Sequence, residues 1–123
     1  MNKQLAGQLA YLSGQSAETQ VAARYEQQGH ILRESRWRGK AGEIDLIFAA
    51  AKGDIIFVEV KKARRLQDAA HRISQRQQQR LCLAAEEYIA QLPNGALTPM
   101  RIDAAFVDGQ GRIHICENAI AAF

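Results

Sequence analysis

Between residues 54 and 61 the chain alternates at period two. Ile55, Phe57, Glu59 and Lys61 share one face, and Ile56, Val58 and Val60 share the other. Both faces are apolar at the start of this strand, so it belongs inside a sheet, yet it ends on Glu59-Val60-Lys61. Just upstream, Gly42-Glu43-Ile44-Asp45-Leu46-Ile47-Phe48 reads as a second strand, with Ile44, Leu46 and Phe48 on one face and Glu43 and Asp45 on the other. The connection Ala49-Ala50-Ala51-Lys52-Gly53-Asp54 reads as a hairpin turn.

The remaining pattern gives the order helix, three strands, helix, two strands. From Ser16 to Gln28, Ala17, Val21 and Tyr25 recur every four residues, a helix that ends at Gly29. Ile31 to Trp37 is the first strand. Ser74 to Leu92 is a long helix with Leu81, Ala84, Ala85, Tyr88 and Leu92 inward, stopped by Pro93-Asn94-Gly95. Arg101 to Val107 and Arg112 to Cys116, joined by Asp108-Gly109-Gln110-Gly111, form a final hairpin. The stretch from Ala63 to Ile73 lacks periodicity and reads as a loop that orders on a ligand. Leu5, Leu9 and Leu12 lie at helical spacing, a short helix packing on the body or on a second copy of the chain in a homodimer. No repeat or linker is evident. With 123 residues, 47% of them apolar, residues 1–123 make one domain.

Glu59 and Lys61 change this picture because burial of an unpaired charge costs several kcal/mol, roughly, unless a partner or a metal compensates it. Paired strands sit about 4.8 Å apart. Asp45 and Glu59 are therefore placed to hold a divalent cation jointly, and two carboxylates, a backbone carbonyl and water suit Mg2+ or Mn2+. Lys61, one pleat along from Glu59, reaches the attacking water or the charge developing on a phosphate. The bland reading of Glu59 and Lys61 is an ion pair on an edge strand. It leaves Asp45 and Glu43 on the neighbouring strand unexplained.

Asp45, a hairpin and then Glu59-x-Lys61 resemble the PD-(D/E)xK nuclease superfamily. Gly-Glu-Ile-Asp-Leu-Ile followed by Phe-Val-Glu-Val-Lys resembles the YraN-like family of endonuclease-like proteins. The likeness extends over most of the chain. It takes in Gly14 to Glu18, Ala22-Ala23-Arg24-Tyr25, Gly29-His30-Ile31-Leu32, Arg101-Ile102-Asp103 and Glu117-Asn118-Ala119-Ile120. The resemblance implies a restriction-endonuclease-like αβββαββ core of the α/β class, with a mixed central sheet flanked by helices. It implies Asp45, Glu59 and Lys61 as catalytic residues and Asp45, Glu59, the Val60 carbonyl and Glu18 as metal ligands, with Glu18 and Glu43 auxiliary. By similarity to archaeal Holliday junction resolvases it further implies structured or branched DNA as substrate, in repair or recombination. RNA stays an open alternative. The chain departs from the family pattern at Ala17, usually glycine; at Lys62-Ala63, commonly Thr-Arg; and at Gln77, typically lysine. None of these removes an implied metal ligand, but they alter substrate contacts around residues 62–80.

Sixteen Lys and Arg against thirteen Asp and Glu give a net charge of +3. Gathering acids at one site leaves the rest of the surface more basic than that sum. Arg33, Arg36, Arg38 and Lys40 precede the acidic strand; Lys61, Lys62, Arg64 and Arg65 follow the motif; Arg72, Arg76 and Arg80 recur every four residues. Among these, Arg36, Arg38, Lys40, Lys62, Arg64, Arg65, Arg76 and Arg80 are candidate phosphate contacts. A solvated helix stripe would show the same spacing, and Trp37 reads as packing rather than base stacking. Cys82 and Cys116 have no C-x-x-C, and His30, His71 and His114 lack zinc-ligand spacing. Cys82, between Leu81 and Leu83, reads as core. With no leader and no membrane-spanning apolar run, a cytoplasmic location is expected. The sequence thus predicts a Mg2+- or Mn2+-dependent endodeoxyribonuclease. The alternative is a non-catalytic nucleic-acid-binding module that keeps the fold, and a third reading makes the acids mere partners of buried arginines.

Overall fold

The computed structural model describes residues 16–65 and 73–120. Within them the predicted order appears in full. Helix α1 covers residues 16–27. Strands β1 (Ile31–Arg38), β2 (Glu43–Ala49) and β3 (Ile55–Lys62) follow, then helix α2 (Gln75–Ala90), β4 (Met100–Val107) and β5 (Ile113–Ile120). The expected helix at residues 3–12 and most of the expected loop at 63–73 lie outside the described residues.

The five strands form one sheet in the order β1-β2-β3-β4-β5, antiparallel throughout except for the parallel β3–β4 pair. A parallel pair needs a crossover, and α2 supplies it. The sheet buries both faces. On one, α1 contributes Ala17, Val21 and Tyr25 against Leu46, Phe48, Ile56, Val58, Ala105 and Val107. On the other, α2 contributes Leu81, Ala84, Ala85 and Tyr88 against Ile47, Phe57, Ile102 and Phe106. This is the mixed α/β architecture of a restriction-endonuclease-like fold. It explains why β3 is apolar on both faces where a solvated sheet would alternate.

Local chemistry sets the boundaries. Ser74 caps α2 by accepting the Gln77 N–H at 3.1 Å. Gly29, at φ +90°, follows α1 and lets the chain reverse into β1. The β2–β3 hairpin closes through the Ala50 N–H on the Asp54 carbonyl at 2.9 Å, with Gly53 at φ +93° in the turn. Trp37 does pack: its ring meets Tyr88 edge-on at 5.3 Å. Cys82 is likewise buried.

Two expectations need correction. Ile44 does not share a face with Leu46 and Phe48; it packs with Ile47 against α2. The alternation breaks at Asp45, opposite Arg36, whose φ of +51° lies in the left-handed region within β1. The last strand also runs past Cys116 to Ile120. Its irregularity at the Ile102/Ala104 step coincides with Asn118 at φ +52°, and this bend, which a simple alternation does not reveal, carries the chain onward.

Candidate metal and nucleic-acid site

The site forms where β2 and β3 part. Their backbone register runs from Ala49–Ile55 to Leu46–Val58 and stops there. Two residues further along β3, the Val60 N–H is met by a side chain instead: it donates to Asp45 Oδ2 at 2.8 Å. Asp45 thereby satisfies a backbone donor that the separating strands orphan, and its other oxygen is left for the gap.

Glu59 lies beside it on the α2 face, only 6% exposed. Its Oε2 accepts from Gln77 Nε2 at 2.9 Å, and the Asp45 carboxyl is near enough to act on it. Burial, reinforced by the Asp45 carboxyl, pushes the Glu59 carboxyl well above the ordinary glutamate range; Lys61 and Gln77 oppose that shift without cancelling it. Glu59, Gln77, Glu43, Gly42, Arg80 and Leu81 line a cavity of about 130 Å3 between the sheet and α2.

Lys61 follows on the same side of β3, half-buried, its register partner Phe106 packed against α2. Glu18 sits on α1, where burial raises its carboxyl and Asp45 adds to the rise. Its Oε2 takes the Arg36 guanidinium at 3.1 Å. Glu43 takes Arg38 at 3.3 Å at the exposed edge. The oxygen donors that meet at the gap are thus Asp45 and Glu59, with the Val60 peptide between them. Among the described residues, no three His, Cys, Asp or Glu side chains are grouped to hold a metal ion.

The candidate phosphate contacts divide. Arg36 and Arg38 are engaged with the acids just named. Lys40 is exposed in the β1–β2 loop, Lys62, Arg64 and Arg65 are exposed beyond the end of β3, and Arg76 and Arg80 are exposed on the first turns of α2. Arg33 reaches the Tyr88 hydroxyl at 2.9 Å, and Arg72 lies outside the described residues.

Three contributors were not assigned from sequence. Gln77 touches Glu59 directly, although the sequence flagged it only as a departure from lysine. Glu87 holds the β1–β2 loop by accepting the Lys40 N–H at 3.0 and 2.9 Å. Asp103 is fully buried on the α1 face, accepting from Tyr25 Oη at 2.7 Å, Arg101 Nε at 3.1 Å and the Asn118 N–H at 2.8 Å. Its signal was an acid inside Ile102-Asp103-Ala104-Ala105-Phe106-Val107, the same anomaly that marked Glu59. Beside it, burial and the Asp103 charge hold the Tyr25 hydroxyl far above its usual range.

The family model described as "Uncharacterised protein family UPF0102" matches residues 17–107, a span that contains all of these residues except Asn118. A UPF0102 protein of Ruegeria pomeroyi is 50% identical over 109 residues, covering 89% of this chain and 88% of its own. UPF0102 proteins of Roseobacter denitrificans and Cereibacter sphaeroides are each 47% identical. The first covers 94% of this chain and 89% of its own, the second 96% and 100%. No helix among the described residues is long and apolar enough to cross a membrane. With its restriction-endonuclease-like sheet and the Asp45, Glu59, Lys61 array at the strand gap, the chain belongs to the UPF0102 family, the YraN-like group of the PD-(D/E)xK superfamily.

Proposed function

We propose that this protein is a Mg2+- or Mn2+-dependent endonuclease that hydrolyses phosphodiester bonds in DNA. The observation that carries the reading is the Asp45–Glu59 pair. Two carboxyl groups lie close together at a strand gap, with Gln77 as the neutral donor beside Glu59, so ionising both is opposed and a divalent cation would relieve that opposition. The two carboxylates present, with the Val60 carbonyl and solvent water to complete the shell, would fit a hard oxygen-seeking cation.

Asp45 and Glu59 would hold the ion, with Glu18 adding negative potential from α1. When bound, the ion supplies a lowered water pKa and neutralises charge on the phosphate. Val60 N–H fixes the Asp45 carboxylate, Gln77 orients Glu59, and Lys61 positions water or offsets charge on the phosphate. Arg80 at the cavity wall supplies phosphate-binding charge, and Lys40, Lys62, Arg64, Arg65 and Arg76 are exposed elsewhere on the surface to add to it.

The test is cleavage of labelled linear, flapped and four-way-junction DNA with Mg2+, Mn2+ or EDTA, alongside Asp45→Ala and Lys61→Ala. Cleavage that requires metal and both side chains supports the reading. Cleavage retained in Asp45→Ala overturns it, and salt-sensitive DNA binding with neither Mn2+ binding nor turnover would identify a non-catalytic binding module instead.

A further inference from the structure

A cavity of about 630 Å3 opens on the opposite face of the sheet from Glu59. It lies at the carboxyl ends of β3 and β4, the parallel pair, closed beneath by the Ala63 N–H on the Val107 carbonyl at 3.0 Å. Crevices at the carboxyl ends of parallel strands are where open α/β sheets take ligands. Ser16 and Gln20 of α1 form one wall, Lys62 and Arg64 a second, and Asp108 with Gly111 of the β4–β5 turn a third.

The charge of this cavity favours an anion. Lys62 and Arg64 are exposed, and neither forms an ion pair with an acid among the described residues. Among the described residues the one carboxylate on the wall is already engaged: Asp108 accepts from the Gln110 and Arg112 N–H groups at 2.9 Å each and from Arg112 Nε at 2.7 Å. The volume falls in the range of small-ligand pockets, roughly 300–1,000 Å3, which suits one nucleotide rather than a duplex. Among the described residues no aromatic side chain lines it.

Lys61 and Lys62 connect this cavity to the acidic gap. They are consecutive at the end of β3 and project to opposite faces: the partner of Lys61 is Phe106, packed against α2, and that of Lys62 is Val107, packed against α1. A polyanion that touches both lysines passes over the rim of the sheet.

We propose that this cavity is a single-strand subsite: it takes one nucleotide of an unpaired DNA strand, phosphate on Lys62 and Arg64 and hydrogen bonds from Ser16 and Gln20. The phosphate to be cut lies across the rim at Asp45, Glu59 and Lys61, a part of the inference that rests on the nuclease reading. The path selects flapped or branched DNA over uninterrupted duplex. With phosphate contacts and no stacking platform, binding is salt-dependent and indifferent to base sequence.

The test is fluorescence anisotropy of a short labelled single strand and of a matching duplex, in EDTA. It uses the wild type, Gln20→Ala and the double variant Lys62→Ala/Arg64→Ala, with thermal melts verifying that each is folded. The double variant loses about tenfold in single-strand affinity, with a salt slope shallower by roughly 0.7 per lost phosphate contact, and loses less on duplex. Gln20→Ala shows a smaller loss of the same sign. Unchanged single-strand affinity in the double variant, or equal losses on single strand and duplex, overturns the subsite. Because binding is read without metal, the two proposals fail separately. Single-strand binding that depends on Lys62 and Arg64 without any cleavage refutes the nuclease and leaves the subsite. Metal-dependent cleavage whose flap preference survives the double variant refutes the subsite and leaves the nuclease.

Discussion

Val60 N–H donates to Asp45 Oδ2 at 2.8 Å just beyond the last backbone pair of β2 and β3, Leu46 with Val58. A side chain has replaced a ladder bond, which lets the strands part without leaving a buried amide unpaired. Structural and chemical roles of Asp45 therefore reside in different parts of its carboxylate.

Asp45→Asn separates those roles. The amide oxygen still accepts from Val60, so the expected stability is close to wild type, whereas Asp45→Ala strands the N–H and costs about 1–3 kcal/mol. Both variants lose the charge that holds a divalent cation. Chemical denaturation alongside Mn2+ calorimetry is expected to show two folded proteins of unequal stability that both fail to bind Mn2+. A metal affinity in Asp45→Asn equal to the wild type would remove Asp45 from the ligand set.

The raised Glu59 carboxyl sets the pH dependence. Its folded value is pushed up to about 9 from 4.5, so across that window the folded chain binds more protons than the unfolded one. Stability from this group is complete below the window and declines as pH rises through it. Melting temperatures measured from pH 5 upward should fall more steeply in the wild type than in Glu59→Gln, which carries no titrating group there. Mn2+ binds the deprotonated pair, so its stabilising effect should grow with pH and release protons. Identical pH slopes for wild type and Glu59→Gln would show that Glu59 titrates normally.

Element order and both strand faces of β3 were legible because period-two and period-3.6 patterns are local, and the position of Asp45 beside Glu59 because a carboxylate in an apolar strand is conspicuous. Ile44 was misplaced because the break in alternation depends on Arg36, on a different strand, taking a left-handed backbone. Gln77 and Glu87 were illegible for a related reason. Their partners, Glu59 and the Lys40 N–H, are 18 and 47 residues away, and only the packing of α2 across the sheet brings them together. Asp103 was legible in principle, by the logic that singled out Glu59.

Asp103 and Tyr25 are predicted to act as a unit. Tyr25→Phe removes the 2.7 Å hydrogen bond from a carboxylate with no solvent exposure and should cost about 1–3 kcal/mol. Asp103→Asn keeps the shape but weakens the charge-assisted bonds from Arg101 and Asn118. In a double-mutant cycle followed by urea unfolding, the combined loss should be smaller than the sum of the single losses, since both variants remove the same contact. Strict additivity would mean that the Tyr25 hydroxyl stabilises nothing through Asp103.

The β1–β2 loop is held by Glu87 at close quarters. A Cβ on Gly39 would sit 2.6 Å from Glu87 Oε2 and 2.6 Å from Cη2 of Trp37, so Gly39→Ala must displace one of them. The Trp37 ring is wedged edge-on against Tyr88, whereas Glu87 ends a flexible side chain; the carboxylate yields first and its hold on the Lys40 N–H is lost. The expected loss of stability is roughly 1–3 kcal/mol, the usual range for overpacking. Glu87→Ala releases the same loop by removing the acceptor. In the Glu87→Ala background Gly39→Ala should therefore cost clearly less than in the wild type, although contact with Trp37 persists. Trp37 is the sole tryptophan, so its emission reports the ring's environment directly. A shifted emission maximum in Gly39→Ala with undiminished stability would mean that Trp37, not Glu87, moves aside, and that the clamp on Lys40 survives.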